Sequence, residues 1–140
     1  MSVFLLYFRT TWNDHFPTNT TTYLNKQTFT SRPSPSGSNV YVSNCLFISS
    51  SYGSALYLTS VTYFLVESSS FFSCKTSDYW GGAIYFDNTN SGQSVLYEVC
   101  GYDCNTNMHG QFAYIVINNA ASSKNYEERL CVTKTKKNVI

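Results

Sequence analysis

Charge is what this chain has least of. Of 140 residues, nine are Lys or Arg and eight are Asp or Glu, and the formal net charge is +1. At 12% the charged share is half the usual level of about a quarter. No stretch before the last ten residues is strongly basic, so the footprint of a nucleic-acid binder is missing. The tail Lys134-Thr135-Lys136-Lys137 reads as a solvated end rather than a phosphate patch. Long apolar runs are also missing, and none approaches the ~20 residues of a membrane-spanning helix. Residues 1–8 are apolar at seven of eight positions but lack a basic start and are cut off by Arg9, so a strand is expected there rather than a signal peptide. The two histidines, His15 and His109, have no metal-ligand companions at useful spacing, and no G-x-S-x-G nucleophile elbow occurs.

Hydroxyls, amides and aromatic rings fill the space. Ser, Thr and Asn supply 48 of 140 positions and aromatics 17%. Short polar side chains compete for the backbone's hydrogen bonds, and aromatic and β-branched ones lose rotamer freedom in a helix, so strands and turns are expected. The length suits one domain.

A repeat organises the chain. The hexads GSALYL (53–58), GGAIYF (81–86) and GQFAYI (110–115) align on glycines 28 and 29 residues apart. Each follows an apolar residue with an aromatic five positions later: Val42 to Phe47, Val66 to Phe71, and Tyr97 to Tyr102. Weaker echoes lie at 5–8, where Tyr7 stands, at Leu24 to Phe29, and at 130–134. No segment has a 3.6-residue apolar period, so the repeat predicts stacked strands rather than helical units. The prolines of 31–38 cannot donate to a ladder, and a loop or a missing strand is expected there.

The V-x-N-C-x-F element followed by G-G-A-I-Y resembles the right-handed β-helix repeats of polymorphic outer-membrane and pectate-lyase-like surface proteins, over about residues 39–117. The resemblance implies an all-β, right-handed parallel β-helix solenoid of about three coils plus partial terminal coils, and exposure at a cell surface. Three segments follow: 1–38, a degenerate coil or N-terminal extension; 39–117, the repeats; and 118–140, a loop, a final strand and the basic tail. A lyase of this kind would carry clustered calcium-binding aspartates and an arginine base. Asp14, Asp78, Asp87 and Asp103 are instead spread over different loops, and Arg9, Arg32 and Arg129 lie outside the repeat.

Alternation within the hexads puts Leu56, Leu58, Ile84, Phe86, Ala113 and Ile115 on one face, the expected core, and Tyr57, Tyr85 and Tyr114 on the other. The tyrosines would form an outer ladder at roughly 4.8 Å per rung, either a ligand-binding platform or simply cross-strand stabilisation. Glu67 and Glu98 follow equivalent residues, so they are expected one above the other as a carboxylate pair able to share a proton or hold a cation, unless both are merely solvated. Five cysteines are an odd number, so at least one stays outside any intrachain disulfide. Cys45 and Cys100 read as equivalent places two coils apart, too far to bridge. Cys74 and Cys104 are the candidates for a disulfide; the preferred alternative is that the thiols stay reduced as small core residues. One match to the glycosylation pattern, Asn19-Thr20-Thr21, is what chance supplies among so many hydroxyls.

These residues predict a non-catalytic surface or interaction module, binding glycans or another protein chain, with no metal or cofactor. The runner-up is a remnant of a polysaccharide-active β-helix enzyme, and a third reading is a structural segment of a larger surface protein. Open strand edges predict self-association.

Overall fold

The computed structural model describes residues 11–49, 53–117, 120 and 122–133. The expected strand at 1–8, Tyr7 and the basic tail fall outside them. Among the described residues there is one short helix, α1 (Trp12–His15). The strands begin with β1 (Thr22–Asn25), β2 (Thr28–Phe29), β3 (Asn39–Ser43), β4 (Leu46–Ile48) and β5 (Leu56–Thr59). They continue with β6 (Tyr63–Glu67), β7 (Ser70–Phe72), β8 (Lys75–Thr76), β9 (Ile84–Asn88) and β10 (Gln93–Tyr97). The last are β11 (Cys100–Tyr102), β12 (Asn105–Thr106), β13 (Ala113–Ile117), β14 (Tyr126–Glu128) and β15 (Cys131–Thr133).

The protein is all-β and its strand pairs are parallel. Sheet A runs β1-β3-β6-β10-β14 and sheet B runs β2-β4-β7-β11-β15. Sheet C runs β5-β9-β13, and β8 and β12 form a small fourth sheet. Each pass of the chain thus lays a new strand beside its predecessor in one sheet after another. The inner faces meet in one core, with Val42 and Val66 from sheet A, Phe47 and Phe71 from sheet B, and Leu56, Ile84 and Phe86 from sheet C. The Pro-rich segment forms no strand, and sheet C accordingly begins only at β5.

Two-residue corners connect sheet A to sheet B. At each, the first residue is left-handed: Lys26, Asn44, Ser68, Glu98 and Arg129 all have φ between 45° and 55°. Only asparagine among these residue types favours that region, so the geometry is held by tertiary bonds. The Asn44 N–H donates to the Glu67 carbonyl at 3.2 Å and the Ser68 N–H to the Tyr97 carbonyl at 3.0 Å, which carries the ladder around the bend. A second column of corners repeats the device at Ser49, Ser73 and Asp103.

Registers correct one part of the repeat. Leu24, Val42, Val66 and Leu96 align, as do Phe29, Phe47, Phe71 and Gly101. The third unit is therefore Leu96 to Gly101 and not Tyr97 to Tyr102. A one-residue slip moves a side chain to the other face, and Tyr102 is exposed.

Candidate functional site

Sheet C brings the hexads into register, Leu56 beside Ile84 beside Ala113, and Tyr57 beside Tyr85 beside Tyr114. Leu56, Leu58, Ile84 and Phe86 are buried, whereas the three tyrosines are half-buried on the outer face. Their rings are stacked: Tyr57 and Tyr85 have centroids 4.6 Å apart at 11°, and Tyr85 and Tyr114 are 5.6 Å apart at 9°. The ring faces are thus turned towards one another, and what the row offers outward is ring edges and hydroxyls. Burial and a 3.2 Å hydrogen bond to the Asp87 carboxylate push the Tyr85 phenol up to about 12.

Residues outside the three hexads frame the row. Arg32, from the Pro-rich loop, places its guanidinium 5.0 Å from the Tyr57 ring and 5.5 Å from that of Tyr79, a cation–π contact with each. It is anchored by its Nε–H, which donates to the Ser54 carbonyl at 2.8 Å. At the other end Trp80 packs 4.6 Å from Tyr114. Sequence reading set Arg32 aside as lying beyond the repeat. The available signal was the gap itself, since a missing strand leaves the first tyrosine without a stacking neighbour.

Glu67 and Glu98 do not form a pair. Glu67 lies opposite Ser43 and Tyr97, whereas Glu98 is the left-handed corner residue that follows. Glu67 is 3% exposed and accepts hydrogen bonds from the hydroxyls of Tyr41 and, at 2.9 Å, Ser43. Glu98 instead meets Arg129 at 2.7 Å on the surface. The expectation failed because it aligned Tyr97 with Val66, the same one-residue slip.

Above Glu67, α1 lies on the outer face of sheet A. Trp12 and Phe16 pack with Tyr41, Leu65 and Val95 in a second apolar cluster. His15 is buried, its Nδ1 is hydrogen-bonded with the Tyr126 hydroxyl, and its Nε2 has no partner. Burial lowers the His15 pKa, partly opposed by the charges of Asp14, Glu67 and Glu128.

The disulfide is Cys100 to Cys131, with Cα atoms 4.5 Å apart at paired positions of β11 and β15. Cys45, Cys74 and Cys104 are buried thiols. Cys74 and Cys104 occupy consecutive corners, but each sulfur is aimed at a carbonyl of the preceding pass, Phe47 at 3.8 Å and Phe71 at 3.4 Å. Both remain thiols, with their side chains within hydrogen-bond reach of one another. A hydrogen bond from Cys74 lowers the Cys104 pKa, while burial pushes the Cys45 thiol up. Cys45 aligns with Ser69 and Val99, not with Cys100, which lies in register with Ser70.

Among the described residues no three His, Cys, Asp or Glu side chains are grouped to hold a metal ion, and no helix is long and apolar enough to cross a membrane. No family model, curated protein or solved structure matches this chain.

Proposed function

We propose that the chain is a short right-handed parallel β-helix serving as a non-catalytic interaction module, whose Tyr57, Tyr85 and Tyr114 row docks an extended glycan. The supporting observation is the row itself, three in-register phenols closed off by Arg32 and Trp80. Parallel strands joined by crossovers are right-handed in about 98% of cases, which favours that hand for the stack. With ring faces turned on one another, the row would bind through hydroxyls and edges repeated along one line, as an extended polyol requires. The same stacking favours a second reading, a plain spacer, because each cross-strand aromatic pair contributes about 0.2 to 1 kcal/mol without any ligand.

A thermal-shift screen against acidic and neutral oligosaccharides, with and without calcium, separates these readings when reducing-end release is assayed in parallel. Replacing all three tyrosines by Phe keeps the stack and removes the hydroxyls. Stabilisation of the wild type that is reduced in this variant is the expected result. No response to any sugar supports the spacer, and release of reducing ends overturns the non-catalytic reading.

A further inference from the structure

A second region carries sugar-binding chemistry of a different geometry. Between α1 and the first strand of sheet A lies an open groove of about 470 Å³, within the size range of small-ligand sites. Its walls include Trp12, Tyr23 and Tyr41, and its rim includes Asn13, Asn19 and Thr20. Every one of these side chains is uncharged.

Tyr23 lies on sheet A, apart in register from the tyrosine row of sheet C. It stacks one ring face on Tyr41, with centroids 4.5 Å apart at 14°. In register it begins the line Tyr23, Tyr41, Leu65, Val95, because β1 is the outermost described strand of sheet A. Among the described residues nothing continues that line beyond Tyr23, which is 50% exposed. Tyr41 is fixed beneath it by its hydroxyl bond to Glu67, and Trp12 by its indole N–H bond to the Thr18 carbonyl. The platform is therefore rigid and half-buried, with a ring presented at its outer end. Such a ring offers an apolar face to the C–H side of a sugar. Side-chain amides offer two donors and one acceptor each, which matches vicinal hydroxyls that both donate and accept.

We infer that this groove is a binding site for a neutral oligosaccharide, with one sugar ring stacked on Tyr23 and its hydroxyls held by the side-chain amides of Asn13 and Asn19. The uncharged described lining selects against acidic sugars, whose carboxylates would lose water with no cation among the described lining residues to meet them. The site is independent of the sheet C row.

Isothermal titration calorimetry on the full chain tests it with neutral tetrasaccharides of glucose, xylose and N-acetylglucosamine, and with tetragalacturonate. At least one neutral probe is expected to bind and the acidic one to bind more weakly. Tyr23→Ala is expected to weaken binding about tenfold, Tyr23→Phe to leave it within about threefold, and Asn13→Ala with Asn19→Ala to weaken it by about tenfold. The triple Phe variant at 57, 85 and 114 is expected to keep the Tyr23-dependent part of the binding, whatever it loses at sheet C. The inference is overturned if no neutral probe binds at millimolar concentration, if tetragalacturonate is preferred, or if Tyr23→Ala, shown folded by its circular dichroism, binds unchanged. Loss of binding in the triple Phe variant alone moves the site to sheet C and rejects the groove.

Discussion

Gly101 occupies a place where its neighbours carry rings. Phe29, Phe47 and Phe71 stack in the core with centroids 5.0 and 4.5 Å apart, and the next position in register is glycine. Phe112, arriving from the hexad of the same pass, fills the vacancy edge-on to Phe71 at 5.7 Å, and a Cβ at Gly101 would collide with its ring. Gly101→Ala should therefore destabilise the protein by about 1 to 3 kcal/mol, read by urea unfolding. Gly101→Phe combined with Phe112→Ala should recover much of the loss, because the two positions share one space. This exchange also explains what the sequence hid. An aromatic was expected at the fifth place of the third unit, Tyr102 supplied one, and the slip carried Glu98 and Cys100 into the wrong alignments. The glycine hexads stayed legible because their left-handed glycines, Gly53, Gly81 and Gly110, fix the register directly.

Helix α1 is four residues long and offers no apolar period to read, yet it packs on sheet A from β3 to β14. Phe16 packs 4.8 Å from Tyr63, and His15 reaches Tyr126 on the last strand. The groups facing His15 are Asp14 on its own element, Glu67 beneath it, and Lys124, Tyr126 and Glu128 beside the final strand. Burial holds the folded-state pKa of His15 below its ordinary 6.5, so the unfolded chain takes up a proton first as pH falls. The stability this contributes is complete above about pH 6.5 and is lost progressively as pH drops towards the lower folded value. The melting temperature should therefore fall as pH drops below about 6.5 in the wild type, and by less in His15→Phe. Equal slopes in the two proteins would show that His15 titrates without strain in the fold. A cluster of this kind was invisible beforehand because its members come from positions 15, 41, 43, 67 and 126 and meet only through the stacking of sheet A.

Taken whole, the molecule guards its last edges unevenly. Sheet A ends on β14, where Glu127 stands in register with the buried Leu96 and puts a charge on the inward side, a device that discourages further strand addition. Sheet B ends on β15, tied back by the disulfide. Among the described residues sheet C ends on β13, where Ala113, Ile115 and Ile117 are only partly buried and the strand carries no charge. Self-association is therefore expected to proceed through β13. Sedimentation velocity should detect dimers or larger species at tens of micromolar, and Ile115→Lys should return them to monomer. Identical sedimentation of the two proteins would rule that edge out. All-β parallel architecture was readable from composition and repeat spacing, whereas the state of each edge depends on which residue happens to end each sheet.

The corner columns divide the chain into parts that tolerate change and parts that do not. Between sheets A and B every connection is two residues long, and each is bonded to the next, so a single inserted residue there would have to be accommodated by its neighbours as well. The connections leading into and out of sheet C differ from pass to pass, seven residues at 77–83 against six at 107–112. New sequence can therefore enter more readily on the sheet C side than at the corners between sheets A and B. That is also the side bearing Trp80 and Tyr79, so its surface can diversify while the pitch of the stack is kept by corners that no ligand needs to touch.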